Sequence, residues 1–403
     1  MGRWERRPRE LAMDNLLRWR EEFPILHTST YLISNSLGAM PRAVADRMRA
    51  YAEIWATRGV RAWEDTWWNL PAEVGDQIGR LIGAGPGEVS VHQNVTLTQA
   101  AIASCFDFRG PRNKVVMVDL EFPSIQYFYF EQRRFGAQVE LLKSDDGIHA
   151  PLERVLAAID ERTLLVPISL VLFRSASIVD IRAIVEKAHR VGARVILDIF
   201  QAAGTLPVDV GALGVDFAVG GVLKWLCGGP GVGYLYVRPD LQKKLTPAIT
   251  GWFAHERPFG FEAGPISQTA GRFKFLTGTT QIPALYACQP GLEIIAAAGI
   301  AHIREKSVRQ TARLLQGALD RGWRVNTPRD PAARGGTVSI DCPNAEEVTR
   351  ELLERNIMVD YRPLAGVRLS PHFYTRDEEI DLALEQIGEI LATRPWEQRA
   401  TVV

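Results

Sequence analysis

The residues with the clearest chemical potential are an aspartate and a lysine that each follow an apolar, β-like run. Asp198 ends the run 194–198, and Lys224 follows shortly after the run 215–219. Lys224 lies in a glycine-rich segment, 220–233. In a parallel sheet, both runs would end at the carboxyl edge, where open α/β sheets bind their ligands.

A lysine beside a carboxylate is the pair that pyridoxal 5′-phosphate (PLP) requires. The lysine amine forms a Schiff base with the cofactor's aldehyde, and the aspartate keeps the pyridine nitrogen protonated so that the ring accepts electrons. Taken alone, the pair fits equally well a surface lysine in a glycine-rich turn and an unrelated strand-end aspartate. The rest of the chain favours the cofactor.

A phosphate site is predicted where the segment 91–102 changes from a strand pattern to a helix pattern, because a helix N-terminus offers free N–H donors. The candidates for this role are Asn94, Val95, Thr96 and Thr98. An ordinary Asn or Thr helix cap explains the same pattern.

Other candidates follow from the needs of the ring and of an amino-acid substrate. Phe122, after the strand ending at Asp119, is a candidate to stack on the ring, and Gln201 is placed to contact its phenolic oxygen. Arg368 is the candidate for the substrate carboxylate, because a guanidinium binds a carboxylate with two parallel hydrogen bonds. Trp63 belongs to a set of tryptophans that could line an aromatic substrate pocket.

Composition restricts the class of protein. The 403 residues include 47 Lys plus Arg and 47 Asp plus Glu, so no net charge favours nucleic acid or an anionic membrane. No apolar run predicts a membrane span, and the charged N-terminus does not lead into a secretion signal. Four dispersed cysteines indicate reduced thiols in a cytoplasmic protein. Seven histidines without an HExxH motif argue against a metal site.

The order of elements predicts an α/β fold. Strand patterns at 114–118, 138–142, 163–168 and 194–198 alternate with helix patterns such as 181–191, which indicates a mostly parallel central sheet with helices on both faces. A further helical pattern extends over about 294–319. We predict an N-terminal arm at 1–40, a large cofactor-binding domain at 41–293 and a smaller α+β domain at 294–403.

Taken together, these motifs resemble the class V, fold-type I PLP enzymes, and among them most closely kynureninase, over about residues 30 to 390. The segment with Lys224 and the glycines at 228–231 resembles that family's Schiff-base lysine segment and is the most specific match. The other similar segments are 35–38, 122–124, 203–209, 251–255, 272–279 and 359–362.

The resemblance implies a homodimer whose active sites are shared between the subunits, acting on a small amino-acid substrate. Trp252 would reach the neighbouring subunit's site, and Thr279 would cap the partner's phosphate. The remaining positions carried over are Asn35 and Ser36 at the substrate, Phe122 and Ser124 at the ring, and Arg368 at the carboxylate.

Several positions depart from the kynureninase pattern. Leu223 stands where that family has a tyrosine, Ile125 replaces an acid, and Leu172 replaces an Asn or Asp. Gln201 replaces a histidine and is closer to the cysteine desulfurase pattern. Most of these changes remove a polar group near the cofactor.

The resemblance predicts hydrolytic Cβ–Cγ cleavage of an L-α-amino acid, or a related β-elimination, through an external aldimine and a quinonoid. A class V aminotransferase, an epimerase and a desulfinase-like lyase remain alternatives, since all begin with removal of the Cα proton by Lys224. Persulfide chemistry is disfavoured because no cysteine lies in 356–366, shortly before Arg368.

Overall fold

The computed structural model describes residues 15–400, with side chains described up to residue 397. Residues 1–14 and 401–403 lie outside this range, and with them the first part of the predicted N-terminal arm. In chain order the strands are β1 (Thr30–Tyr31), β2 (Val89–His92), β3 (Lys114–Val118), β4 (Gln138–Leu142), β5 (Thr163–Ser169), β6 (Arg194–Asp198), β7 (Phe217–Gly221), β8 (Gly233–Val237), β9 (Arg324–Val325), β10 (Val338–Asp341), β11 (Ile357–Met358), β12 (Asp360–Arg362) and β13 (Gly366–Leu369).

Helices fill most of the chain between these strands. They are α1 (Ala43–Arg58), α2 (Leu70–Leu81), α3 (Val95–Ala103), α4 (Pro123–Glu131), α5 (Leu152–Ala158), α6 (Ile181–Val191), α7 (Val210–Leu213), α8 (Pro239–Lys244), α9 (Ile282–Ala298), α10 (Ile300–Asp320), α11 (Ala345–Glu354), α12 (Asp377–Thr393) and α13 (Pro395–Ala400). Shorter 3₁₀ segments lie at 15–22, 24–27, 59–61, 132–135, 252–254, 258–260, 271–275 and 331–333, and a π-helical turn at 63–67.

The central sheet has seven strands in the order β2-β8-β7-β6-β5-β3-β4. The strands β4, β3, β5, β6 and β7 pair in parallel, and β8 pairs antiparallel with β7 and with β2. The predicted α/β fold with a mostly parallel sheet is confirmed.

Both faces of this sheet are buried, which explains why its strands read as continuous apolar runs. Val116 and Val118 of β3 belong to the hydrophobic core on one face, and Val115 and Met117 to the core on the other. Successive side chains of a strand point to opposite faces, so a strand covered on both sides must be apolar at every position. Helices on the two faces complete the three layers.

A smaller sheet of four strands, in the order β12-β13-β10-β9, forms a second structural unit with a hydrophobic core of its own. Its antiparallel strands pack with α10 and α11, which confirms the predicted α+β character. β1 pairs in parallel with β11, and Leu32 lies in the core of this smaller unit. Part of the predicted arm is therefore built into the small α+β unit.

The helical pattern predicted around 294–319 forms two helices. α9 begins at Ile282, ahead of the predicted start, and breaks from α10 at Gly299, whose φ of 83° lies in the left-handed region that glycine adopts most easily. The predicted domain boundary after residue 293 thus falls inside α9.

Among the described residues, no single helix is both long enough and apolar enough to cross a membrane. Only α9 and α10 taken together, with a bend of 82° between them, reach that length and composition. Within the same residues, no cluster of three or more His, Cys, Asp or Glu side chains is suited to hold a metal ion.

Candidate active site

A cavity of about 340 Å³ opens at the carboxyl edge of the parallel strands. It contains most of the residues predicted from the sequence. Its lining consists of Asn35, Ser36, Asn94, Val95, Thr96, Phe122, Ser124, Ile125, Ser169, Val171, Phe173, Asp198, Phe200, Gln201, Leu223, Lys224, Arg362 and Arg368.

Asp198 and Lys224 reach this cavity from neighbouring strands. Asp198 is the last residue of β6 and pairs in register with Val219 of β7, and the chain leaves β7 two residues later toward Lys224. The Lys224 loop is held by hydrogen bonds from Gly38 N to Leu223 O (2.8 Å) and from Gly228 N to Val222 O (2.8 Å). A Cβ on Gly38 would lie 2.1 Å from the carbonyl oxygen of Lys224, so only glycine permits this approach.

Burial alters the proton affinity of both groups. It is the largest cause that lowers the pKa of Lys224 to about 8, opposed by the negative charge of Asp198. Burial likewise raises the pKa of Asp198 to about 6, opposed by a hydrogen bond from the Phe200 N–H (2.8 Å) and by Lys224. The Lys224 ammonium position lies 4.3 Å from the ring centroid of Phe200 and 5.5 Å from that of Phe122.

The N-terminus of α3 forms another wall of the cavity. Asn94 is its N-cap and accepts a hydrogen bond from Leu97 N (3.0 Å), which leaves the amides of Val95 and Thr96 at the start of the helix. β8 approaches this turn closely, because a Cβ on Gly233 would lie 2.8 Å from the carbonyl carbon of Asn94. The geometry suits an anionic group such as a phosphate.

Thr98, a candidate for the phosphate site in the sequence, does not face the cavity. Its side chain is fully buried, donates a hydrogen bond to the carbonyl oxygen of Val95 (2.7 Å) and does not line the cavity. The position after Leu97 has turned away from the mouth of the helix, because side chains rotate by about 100° per residue along an α-helix.

Asn35 gives the clearest sign that the cavity is built for a polar ligand. Its residue is 1% exposed, yet neither its side-chain nitrogen nor its side-chain oxygen has a hydrogen-bond partner in the described chain. Gln201 fixes the Asn35 backbone by donating to its carbonyl oxygen (3.0 Å), while Trp225 Nε1 donates to Gln201 Oε1 (2.9 Å). Buried polar groups are normally paired, so a bound ligand is expected to supply the missing partners.

Arg368 extends from β13 into the cavity and is 2% exposed. Its Nε and Nη2 donate to the two carboxylate oxygens of Asp360 (2.8 and 2.5 Å), and Nη1 donates to the carbonyl oxygen of Phe173 (2.6 Å). Three of its N–H groups are thereby used, and two remain for a carboxylate in the cavity.

Besides Thr98, three further predicted residues do not line the cavity. Trp63 packs edge-on against Trp67 and Phe253, so the expectation that it lines the substrate pocket is not met within one chain. Trp252 packs against Trp68, and Thr279 is exposed. Their contribution to a neighbouring subunit's site stays a prediction.

Sequence reasoning gave no role to Ser169 and Phe200, which line the cavity, or to Glu121 behind its wall. Arg362 also lines the cavity, and it belongs to the segment 359–362 that the resemblance places at the carboxylate-binding end. Ser169 ends β5 and pairs in register with Asp198, so its place at the carboxyl edge of a predicted strand was the available signal. Glu121 lies behind the wall, fully buried and hydrogen-bonded to Ser169. No sequence pattern marks that contact.

The chain belongs to the class-V aminotransferase family, whose model matches residues 30–382. It is 30% identical over 403 residues to the kynureninase of Pseudomonas fluorescens, with 96% of this chain and 95% of that protein covered. It is 31% identical over 379 residues to the uncharacterized aminotransferase YcbU of Bacillus subtilis (strain 168), with 92% and 97% covered.

Solved structures with the same fold include the apo cysteine desulfurase of Thermococcus onnurineus NA1, with a TM-score of 0.82 at 22% identity, covering 96% of this chain and 98% of that one. A C-DES variant with glycine covalently linked to its PLP cofactor has a TM-score of 0.82 at 20% identity, covering 91% and 98%. These relatives are PLP-dependent enzymes, and the recognition of a class V, fold-type I PLP enzyme from sequence is confirmed.

The residues present fit this cofactor. Lys224 offers the amine, Asp198 the carboxylate, the start of α3 the phosphate donors, and Phe122 and Phe200 flat apolar surfaces. The unpaired amide of Asn35 gives independent support, since a polar ligand in the same space would supply its missing hydrogen bonds.

Proposed function

We propose that the protein hydrolyses the Cβ–Cγ bond of an L-α-amino acid whose Cγ is a carbonyl carbon, as a kynureninase-like enzyme. The observation that carries the proposal is the placement of Lys224, Asp198 and Arg368 around one cavity, in a chain 30% identical to a kynureninase over nearly its full length. The reaction adds water across the bond. The hydroxyl joins the acyl carbon and Cβ gains a hydrogen, so a carboxylic acid and alanine are released.

Lys224 is suited to move the proton at Cα. A lysine accepts a proton only as the neutral amine, and the pKa lowered to about 8 by burial makes this form far more abundant near neutral pH than in an exposed lysine. Phe122 and Phe200 on either side limit the positions of the amine.

Asp198 is suited to stabilise positive charge on the cofactor ring. When bound, PLP supplies a ring that accepts electrons from the substrate. The carboxylate of Asp198 is fixed by the Phe200 N–H, and its negative charge would stabilise a proton on the pyridine nitrogen of the bound cofactor.

The cavity wall narrows the range of substrates. Ile125, Val171, Phe173 and Leu223 line it with hydrocarbon, including positions where the kynureninase pattern carries polar groups. An ionic side chain would be left without partners along this wall, and such desolvation is costly. We therefore infer a substrate with a neutral acyl side chain, either aryl or alkyl.

Transamination is the second candidate, supported by the 31% identity to the protein named an uncharacterized aminotransferase. It needs the same proton removal by Lys224, and a water molecule to release the 2-oxo acid while the amino group stays on the cofactor, but no attack of water on the side-chain carbonyl carbon. The apolar wall is compatible with it, because few polar groups along that wall are available to orient water toward the side chain.

We also propose that two copies form a homodimer. Trp252, Phe259 and Phe261 form an aromatic cluster on one surface, and Phe259 and Phe261 are 60% and 76% exposed. A contiguous exposed aromatic patch typically marks an interface. A single-chain mass in solution would contradict this part of the proposal.

Product analysis tests the reaction. The PLP-loaded protein is incubated with L-α-amino acids that carry aryl or alkyl ketones at Cγ, and the products are identified by mass spectrometry, with Lys224→Ala as the control. We expect alanine and the matching carboxylic acid from the native protein and neither from the control. If a 2-oxo acid forms without alanine, the reaction is transamination and the proposed hydrolysis is wrong.

Arg368→Ala tests the substrate class. Loss of a charge-assisted carboxylate contact should weaken substrate binding by about 2–4 kcal/mol, and misorientation should also lower turnover. Arg368→Lys should recover little, because an ammonium cannot reproduce the planar fork. Arg324→Ala, an exposed position of the same small sheet, is the matched control. Unchanged substrate affinity in Arg368→Ala, measured by spectroscopic titration, would exclude this carboxylate assignment.

A further inference from the structure

Glu121 is a buried acid that the chemistry described above does not use. It follows β3 in the turn before α4 and is 0% exposed. The ion pairs of residues 15–397 include no cation for it, and its side-chain partners are the N–H and hydroxyl of Ser169. An ionised carboxylate without exposure or a cation is strongly disfavoured, so the site favours the neutral acid.

If Glu121 is neutral, the donor and the acceptor in each of its two hydrogen bonds with Ser169 can be assigned. Ser169 N donates to Glu121 Oε1 at 3.0 Å, so Oε1 acts as an acceptor. Ser169 Oγ and Glu121 Oε2 form a short hydrogen bond, in which the hydroxyl donates when the carboxylate is ionised. A neutral carboxyl group has one O–H donor, and because Oε1 already accepts from Ser169 N, that donor would lie on Oε2 and point to Ser169 Oγ.

Ser169 connects this acid to the cavity. Its side chain lines the cavity while Glu121 does not, and it pairs in register with Asp198 on β6. If Glu121 donates to Ser169 Oγ, the hydroxyl hydrogen of Ser169 is left to face the cavity. If Glu121 were ionised, it would accept that hydrogen, and Ser169 would offer only lone pairs to a ligand.

We propose that Glu121 is a positioning residue of the PLP site, which stays protonated, donates to Ser169 Oγ and so turns the Ser169 hydroxyl hydrogen toward the bound cofactor. This inference rests on the PLP-binding part of the proposed function and is independent of which reaction the enzyme catalyses. Burial is also the main cause that raises the pKa of Glu121 to about 8, with a further contribution from the Asp198 carboxylate.

Binding of PLP to the apoprotein, followed by absorbance, tests the inference without any turnover. Glu121→Gln can still accept from Ser169 N and donate to Ser169 Oγ, so its dissociation constant should remain within about twofold of the native value. Glu121→Met keeps similar volume without hydrogen bonds and should weaken PLP binding roughly tenfold, the scale of one hydrogen bond. Glu131→Met, on the exposed side of α4, is the matched control.

A double-mutant cycle separates positioning from general structural damage. Ser169→Ala should weaken PLP binding about as much as Glu121→Met, and the double variant should lose little beyond Ser169→Ala, since Glu121 acts through Ser169. Thermal unfolding of the apoproteins identifies any variant that fails to fold. If Glu121→Met does not fold, comparison of Glu121→Gln with Ser169→Ala still tests the inference, because only Ser169→Ala should lose affinity for PLP.

A pH series supplies a readout that a purely structural role would not change. Above about pH 8, ionised Glu121 would take back the Ser169 hydrogen, so native PLP affinity should fall relative to Glu121→Gln. The other ionisable groups facing this pair are Asp198, already charged there, and Lys224, whose loss of a proton favours cofactor attachment and is common to both proteins.

Three results would overturn the inference: Glu121→Gln as weak as Glu121→Met, Ser169→Ala with native affinity, or an equal loss from Glu121→Met with and without Ser169. A native protein that binds no PLP would instead reject the cofactor assignment. Absence of a C–C cleavage product would reject the proposed reaction and leave this test intact.

Discussion

The parallel pairing of β6 with β7 is the constraint on which the site depends. It aligns Asp198 with Val219, so that the carboxyl ends of two adjacent strands bring a carboxylate and a lysine to the same edge of the sheet. Hydrophobic cores on both faces of the sheet keep these strands in place. Because the sheet interior excludes water, both groups lose hydration, and their pKa values move toward each other to about 6 and 8.

The small α+β unit contributes the opposite side of the cavity. Arg368 is held by Asp360, and Asn35 is held through its backbone by Gln201 and Trp225. Arg368, the cation proposed to bind a substrate carboxylate, is thus oriented before any ligand arrives, which reduces the ordering cost of binding. The two units meet across the cofactor cavity, and the polar groups that converge there stand out against an otherwise apolar wall.

Most of the fold could be predicted from the sequence, because apolar runs of strand length bounded by turn residues are unambiguous when both faces are buried. The strand 114–118 and the helix 181–191 have the bounds predicted for them. The break at Gly299 was missed, since apolar residues continue through α9 and α10 and hide the change of direction.

The site was predictable where a residue lies in, or shortly after, one strand that the sequence reveals, as Asp198, Lys224 and Arg368 do. It was less predictable where side-chain direction decides, as at Thr98, which the helix turns away from the cavity. Contacts between residues far apart in the sequence, such as that of Glu121 with Ser169, left no local signal, because the two residues meet only when β3 and β5 pair.

We propose above that Lys224 moves the Cα proton of an amino acid beside an electron-accepting cofactor secured by Asp198. Proton exchange in heavy water measures this step alone, whichever bond breaks afterwards. PLP-loaded protein is incubated with L-α-amino acids in D₂O, and deuterium at Cα is followed by NMR. We expect exchange with at least one amino acid, its loss in Lys224→Ala, and a fall of roughly 10²-fold or more in Asp198→Ala. Exchange that persists in Lys224→Ala, or an undiminished rate in Asp198→Ala, would show that these two residues do not have the proposed roles.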